Sequence, residues 1–169
     1  MGLGAWIDNF VLRNAVKSIK PAQRTGLYPQ TFKHIGILAD FRQPKHAEYA
    51  LQFRQELIQK GYQVDMMVFM ADPIPNRVPQ IAYVTQKDFS FWLKPKRTDI
   101  QQFTKKRFDV LINFYTQAIP AFYVVSARNP SGMRIASQEV EYIADVFIKP
   151  KANHALSDYK KAIFDYIKL

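Results

Sequence analysis

Short apolar runs alternate along the chain with longer segments in which apolar residues recur at helical spacing. The run HIGILAD (34–40) has the length and composition of a strand, and a helix follows it from Pro44, a residue favoured in the first turn. The helical spacing continues up to Gly61, which is placed to end the helix, and QVDMMVFM (63–70) predicts the next strand. A strand, a helix and a strand in this order predict parallel pairing with a right-handed crossover.

The same alternation continues through the second half of the chain. Four further runs predict strands: IAYVT (81–85), FDVLINF (108–114), MRIA (133–136) and ADVFIKP (144–150). Of these, FDVLINF is a continuous apolar run, which is typical of a parallel sheet covered on both faces.

Three helical segments lie between and after these strands. Thr98 and Gln101 form a capping box that predicts a short helix, and residues 118–128 predict another. The last helix takes its apolar face from Leu156, Tyr159, Ile163, Tyr166 and Ile167. The predicted fold is therefore α/β, an open, mostly parallel, Rossmann-like sheet with helices on both faces.

The N-terminal residues stand apart from this alternation. Residues 3–19 predict an amphipathic helix with cations on its polar side, and residues 20–31 predict a connector rich in turn residues. We divide the chain into this helix with its connector (1–31) and a single α/β domain (32–169). A basic amphipathic helix can lie on a membrane surface or dock a protein partner, but packing on its own domain is commoner.

The pattern predicts no transmembrane helix. The charge-free run 110–127 is interrupted by polar residues and Pro120, as expected of a buried strand followed by a buried helix. The N-terminus has neither the basic start nor the uninterrupted apolar block of a secretion signal. We therefore predict a soluble, cytoplasmic protein.

Composition and charge narrow the class of protein. The 169 residues are 48% hydrophobic, which supplies one domain with a core, and the lack of cysteine excludes disulfides, thiolate metal sites and a cysteine nucleophile. The chain has 24 Lys and Arg against 14 Asp and Glu, a formal net charge of +10. Polyanions attract such a chain at long range, so nucleic acid and anionic lipid surfaces are the candidate partners.

The segment VVSARNPSGMRIA (124–136) has the composition of a phosphate-binding loop. It follows a helix and precedes a strand, however, whereas parallel sheets bind ligands in the loops that lead from a strand to a helix. We therefore interpret Asn129 and Gly132 as helix-stop and turn residues, and Arg128 as a cation at the negative end of the helix dipole. The sequence also lacks the glycine fingerprints of dinucleotide sites and P-loops.

The loops that follow the strands offer a first candidate site. In a parallel sheet they gather at the carboxyl edge, where several cations with few carboxylates would suit an anionic ligand. The candidate residues of this strand-edge pocket are Asp40, Arg42, Lys45, Asn113, Tyr115 and Lys149.

A second candidate site is a basic patch around the predicted helix at Thr98. Its cations are Lys94, Lys96, Arg97, Lys105, Lys106 and Arg107. Phe91, Trp92 and Phe103 are interleaved with these cations. Basic residues with exposed aromatic residues bind single-stranded nucleic acid by charge and base stacking, although the same aromatic residues can instead be core anchors.

Catalytic constellations are poorly represented. The histidines His34, His46 and His154 lack metal-ligand spacing, and Ser126 is not part of a nucleophile elbow. No two carboxylates can be placed together for acid–base chemistry. We predict no metal and no cofactor, and we favour a protein that is not an enzyme.

The quoted runs carry two resemblances. From about residue 33 onward, HIGILAD, VTQKDFSFWLKPK, FDVLINFY, VVSARNPSGMRIA, ADVFIKP and YKKAIFDYIKL together resemble an uncharacterised family of small bacterial α/β proteins, which implies the fold. Separately, DVLINF with the helix after it and SARNPSGMRIA is similar to part of the N-terminal half of heptosyltransferase-like glycosyltransferases. That second likeness covers a short stretch and is one of fold.

The function favoured by the sequence is that of a non-catalytic basic binding protein that contacts RNA or another polyanion. Two alternatives stay open. One is a small-molecule or nucleotide-binding domain, or an unrecognised enzyme, with its site at the carboxyl edge of the sheet. The other is an interaction module that docks a protein partner through the N-terminal helix.

Overall fold

The computed structural model describes residues 31–71, 80–137, 143–150 and 156–167. The helix predicted over residues 3–19 and nearly all of the predicted connector lie outside this part of the chain. The division into an N-terminal segment and a domain therefore stays a prediction.

The described chain forms one sheet of six parallel strands in the order β3-β2-β1-β4-β5-β6. The strands are β1 (His34–Asp40), β2 (Gln63–Phe69), β3 (Ile81–Val84), β4 (Val110–Phe114), β5 (Met133–Ala136) and β6 (Val146–Phe147). The chain winds outward from β1 to one edge and then from β4 to the other, so the strand order reverses between these two strands. The predicted open, Rossmann-like parallel sheet is confirmed.

Within the described part of the chain, four helices cover the sheet: α1 (Pro44–Gln59), α2 (Thr98–Lys105), α3 (Pro120–Arg128) and α4 (Leu156–Ile167). Side chains of α1 and α4 join one hydrophobic core, and side chains of α2 and α3 join a second. Because β-strand side chains alternate between the two faces, the two cores lie on opposite faces of the sheet. The prediction of helices on both faces is therefore confirmed.

The predicted end of the first helix is also confirmed. The N–H of Gly61 donates to the carbonyl of Ile58 at 2.9 Å, and the N–H of Tyr62 donates to that of Leu57 at 3.1 Å. Gly61 has φ +91°, a left-handed conformation that a residue with a Cβ adopts only at a cost. These two bonds satisfy carbonyls that the last turn of α1 would otherwise leave without partners.

The charge-free run 110–127 is a buried strand and a buried helix, as predicted. All residues of β4 are buried, and so are all residues of α3 between its two ends. None of the described helices is long and apolar enough to cross a membrane.

Three details of the predicted elements are wrong. Arg97, not Thr98, precedes α2, and no side chain caps that helix; the capping box is formed instead by Thr85 and Asp88 at a short 3₁₀ turn. Only Val146 and Phe147 of the predicted strand ADVFIKP pair with the sheet. Tyr166, assigned to the apolar face of α4, is exposed, because at helical spacing it lies just outside the arc spanned by the other four residues of the set, which are buried.

A close contact between Gly36 and Phe108 positions β1 against the loop before β4. A Cβ built on Gly36 would lie 2.6 Å from Cδ2 of Phe108. The Phe108 ring has little room to yield, because it packs against Phe103 at 5.0 Å and against His34 at 5.1 Å between ring centroids.

We expect Gly36→Ala to lower the free energy of unfolding by about 1–3 kcal/mol through overpacking. In urea denaturation, Phe108→Leu should recover part of this loss because it removes the clash. Gly61→Ala is the control: it costs about 1–2 kcal/mol through its left-handed φ, and its effect should add to that of Phe108→Leu because nothing lies within 4 Å of its Cβ. If the effects of Gly36→Ala and Phe108→Leu add as fully as those of Gly61→Ala and Phe108→Leu, the close contact between Gly36 and Phe108 is contradicted.

Candidate nucleic-acid interface

A tight turn presents two aromatic side chains to solvent. Phe89 and Pro95 form an antiparallel bridge, and between them the Ser90 N–H donates to the Lys94 carbonyl at 2.9 Å. The N–H of Leu93 closes the turn by donating to the Ser90 carbonyl at 2.8 Å. Leu93 is buried, which anchors the turn. Its φ of +56° is uncommon for a bulky residue, so this backbone conformation costs free energy. We call residues 90–94 the aromatic turn.

Phe91 and Trp92 are the exposed side chains of this turn. They are 67% and 53% exposed, and their rings lie edge to face with centroids 5.3 Å apart. Phe103, the third aromatic residue of the predicted patch, is only 7% exposed and belongs to the core under α2. Phe91 and Trp92 are therefore accessible to a ligand, whereas Phe103 packs in the core.

The position of α2 depends on a buried amide from another loop. The side-chain nitrogen of Asn129 lies 3.1, 3.2 and 3.1 Å from the carbonyl oxygens of Phe103, Thr104 and Lys106, and its two N–H donors are shared among these three acceptors. Its side-chain oxygen accepts from the N–H of Ser131 at 3.1 Å. These bonds close the C-terminal end of α2, where carbonyls have no helical partner. Asn129 also follows the last residue of α3, as the sequence predicted of a helix-stop residue.

A basic cleft lies between the aromatic turn, α2 and the end of α3. Its volume is about 290 Å³, and it is lined by Lys94, Pro95, Gln101, Thr104, Lys105 and Arg128. Three of these residues are cations and none is a carboxylate. Among the described residues, no ion pair occupies the side chains of Lys94, Lys105 or Arg128. The cleft therefore presents positive charge that no described carboxylate neutralises.

The other cations of the predicted patch are placed differently. Arg97 turns inward, where it donates to the Tyr83 carbonyl at 2.9 Å and pairs with Asp88 and Asp99. Lys96 donates to the Lys87 carbonyl at 3.1 Å. Lys106 pairs with Asp65, and Arg107 is exposed. The structure thus brings Lys94 and Lys105 together and adds Arg128, which sequence reasoning had interpreted only as a helix-end cation.

Asp65 links the end of α2 to the amino ends of two strands. It accepts hydrogen bonds from Lys106 Nζ at 2.8 Å and from Nε2 of His34, the first residue of β1. Burial opposes the ionisation of Asp65, but the hydrogen bonds from Lys106 and His34 outweigh it and hold its pKa below the usual value of 3.8. Asp65 therefore keeps its charge and holds Lys106 beside it.

At the carboxyl edge, Asp40 and Arg42 satisfy each other. Asp40 is buried and accepts from the backbone N–H, Nε and Nη2 of Arg42 at 3.0, 2.9 and 2.8 Å. The hydrogen bonds that Arg42 donates to Asp40 raise the pKa of Arg42, whose guanidinium also lies 5.6 Å from the centroid of the Phe69 ring. Nδ1 of His46 lies 4.0 Å from the Asp40 carboxylate.

Asn113 and Tyr115 belong to a buried network. The Asn113 amide donates to Ser126 Oγ and to the Ile135 carbonyl, each at 3.0 Å, and accepts from the Tyr115 hydroxyl at 3.0 Å. Burial raises the pKa of Tyr115 well above its usual value, so the phenol stays protonated and donates. Lys45 and Lys149 are exposed. The strand-edge residues are thus divided between internal pairs and the surface, and the anion site there stays a prediction.

Sequence reasoning recognised Asn129 as a helix-stop residue but not its bonds to α2, and it assigned no role to Arg134. Arg134 is buried in β5, donates to the Ser126 carbonyl at 2.8 Å and lies 3.6 Å from Asp145. An arginine inside the four-residue strand MRIA was the available signal, since a buried charge requires a partner. Among the described residues, no group of three His, Asp or Glu residues is placed to hold a metal ion.

The chain belongs to a family of unknown function, DUF6913, whose sequence profile matches residues 8–169. This confirms the resemblance to an uncharacterised family and extends it toward the N-terminus. Searches of curated proteins and of solved structures found no match. The likeness to heptosyltransferase-like enzymes and the bacterial origin stay predictions.

The amide of Asn129 makes a testable contribution to stability. We expect Asn129→Ala to lower the free energy of unfolding by about 1–3 kcal/mol, since two N–H donors to the carbonyls of α2 are lost at roughly 1 kcal/mol each. Hydrogen exchange should accelerate at the end of α2 more than in α1. Ser131→Ala, which keeps the bonds from Asn129 to α2, is the control and should cost less. A change below about 0.5 kcal/mol for Asn129→Ala would contradict the assigned role.

The contacts of Asp65 predict an acid-dependent loss of stability. Because the folded state lowers its pKa, Asp65 stabilises the fold above its unfolded pKa, and this contribution is lost as the pH falls through the folded value. We expect Asp65→Asn to be less stable at pH 7 and to lose less stability between pH 5 and pH 2, as measured by urea denaturation. Asp165→Asn, at an exposed site on α4, should keep the wild-type pH dependence. Identical pH profiles for wild type and Asp65→Asn would exclude the linkage.

Proposed function

We propose that the protein is a non-catalytic binding protein that holds single-stranded RNA on the aromatic turn and the basic cleft. The observation that carries this proposal is a turn with two exposed aromatic rings, Phe91 and Trp92, that also contributes Lys94 to a cleft lined by three cations. Lys94 belongs to both features, so a ligand on the rings lies next to the cleft. A cytoplasmic location, where RNA is available, is part of the proposal.

Each part of this surface supplies one component of single-strand binding. The faces of Phe91 and Trp92 stack on unpaired bases, and such stacking contributes about 1–3 kcal/mol per base. Lys94, Lys105 and Arg128 neutralise phosphates and release their counterions. The net charge of +10 adds long-range attraction for any polyanion.

A single strand fits the exposed rings better than a duplex does. The bases of a duplex are stacked on one another and have no free face for Phe91 or Trp92, whereas a single strand can turn its bases outward. An anionic membrane surface is the main competing ligand, because aromatic residues and lysines also bind at the lipid interface. The concave cleft favours a strand of phosphates over a flat surface.

The two alternatives from the sequence have less support. At the carboxyl edge, the buried Asp40 carboxylate accepts three hydrogen bonds from Arg42, and the buried amide of Asn113 bonds internally. Neither therefore offers a free group to a small ligand. Docking of a protein partner through the N-terminal helix concerns residues outside the described part of the chain and stays a prediction.

Binding of nuclease-treated protein to a labelled mixed-sequence 12-nucleotide RNA, followed by fluorescence anisotropy across a salt series, tests the proposal. Three phosphate contacts predict that log K falls by about 2 for each log unit of salt. Trp92→Ala should weaken binding by about 5- to 100-fold, the equivalent of about 1–3 kcal/mol of stacking, and should leave the salt slope unchanged. Changing Lys94, Lys105 and Arg128 to alanine should lower the slope toward zero.

The controls are residues of equal exposure on the other face of the sheet. Tyr166 of α4 is 53% exposed, as Trp92 is, so Tyr166→Ala should bind RNA like wild type. Lys161→Ala is the matching loss of an exposed cation. No RNA binding at low salt, or equal losses for Trp92→Ala and Tyr166→Ala, would overturn the proposal. Trp92-dependent binding to anionic phospholipid vesicles without RNA binding would replace RNA with a membrane surface.

A further inference from the structure

A second and larger cavity lies on the other side of α2 from the basic cleft. It has a volume of about 670 Å³ and runs between α2 and the amino-terminal parts of β2 and β3. Buried side chains of Met66, Ile81 and Phe103 line it, so its interior offers apolar surface. Its volume falls within the range of about 300–1,000 Å³ typical of small-molecule sites. We call it the α2 groove.

Polar side chains at the edge of the α2 groove differ in what they already bind. The carboxylate of Asp99 is held by Arg97, and that of Asp65 is held by Lys106 and His34. Lone pairs of both carboxylates that these contacts do not use can accept hydrogen bonds from a ligand amino group.

Other groups of the α2 groove are available to a ligand. Gln102 is exposed, and no described residue bonds to its amide; Lys105 is likewise exposed and outside every described ion pair. Gln80 contributes a second amide, whose nitrogen is not used in its contact with Arg54. Gln80 also has φ +66°, a left-handed conformation that costs free energy in a residue with a side chain and that occurs preferentially at ligand sites.

Lys105 connects the two cavities. It lines both the α2 groove and the basic cleft, so its ammonium group can contact a phosphate in the cleft while the attached nucleoside lies in the groove. An apolar interior suits the face of a base, and an amide at the edge suits its hydrogen-bonding atoms. A glutamine amide pairs in two-point fashion with the N6 and N7 atoms of adenine. Uracil lacks an amino group for the carboxylates to accept from.

We propose that the α2 groove binds the adenine base of a nucleotide whose phosphate lies on Lys105. This inference rests on the proposed function, because the nucleotide belongs to the strand held by the aromatic turn and the basic cleft. The groove gives the protein a preference for adenine at one position of an otherwise sequence-tolerant surface. Gln102 is the residue that determines this preference.

The test compares the affinities of labelled 12-nucleotide oligoadenylate and oligouridylate at one salt concentration. Wild-type protein should bind oligoadenylate about 5- to 100-fold more tightly, the equivalent of the 1–3 kcal/mol that a two-point amide contact contributes to discrimination. Gln102→Ala should lose that preference and bind oligouridylate as wild type does. Gln55→Ala, an exposed glutamine of α1 on the opposite face, is the matched control and should keep the preference.

Failure of this inference is distinguishable from failure of the proposed function. If both RNAs bind equally through Trp92 and Gln102→Ala changes neither affinity, the groove is not a base site and the RNA surface stands. If neither RNA binds, the α2 groove is tested alone. Adenosine monophosphate or uridine monophosphate is titrated into the labelled protein, and the NMR shifts are compared. Adenosine-selective shifts that disappear in Gln102→Ala support the groove without the strand, and their absence overturns it.

Discussion

The strands β1 and β4 at the centre of the sheet are buried on both faces, and most other features of the molecule depend on that constraint. A strand covered on both sides has no polar face, so the helices must pack on both faces of the sheet. Polar groups that remain inside need partners within the protein. Asn113 and Arg134 meet this requirement with Ser126 and Tyr115 or with backbone carbonyls. Groups available to a ligand are therefore left to the helix ends and turns.

Among these helix ends, the C-terminal end of α2 is the one that both proposed sites share. The Asn129 amide donates to carbonyls at that end of the helix, and Lys105 lines both the basic cleft and the α2 groove. Nearby carboxylates pair with Arg97 and Lys106, whereas no carboxylate in the described part of the chain pairs with Lys94, Lys105 or Arg128. Part of the net positive charge is thereby concentrated in the basic cleft, where we propose that RNA binds.

Periodicity was sufficient to predict the sheet and the helices, because continuous or regularly spaced apolar residues determine which segments are buried. The candidate interface was predicted only in part. Lys94 and Lys105 were recognised as basic, but the pairing of Lys106 with Asp65 joins residues that are distant in sequence and close only after folding. Arg128 lies in a segment interpreted as purely structural. That interpretation was right for Asn129, which ends the helix. It was incomplete for Arg128, which also lines the basic cleft.

We propose that a single strand of RNA lies across the aromatic turn and the end of α2. NMR of ¹⁵N-labelled protein titrated with a mixed-sequence RNA 12-mer tests this placement. We expect shifts at the Trp92 indole N–H and at the backbone amides of residues 90–94, 101–106 and 128. Shifts confined to residues 40–46 and 113–117, with the Trp92 indole unmoved, would contradict it and assign the ligand to the carboxyl edge of the sheet.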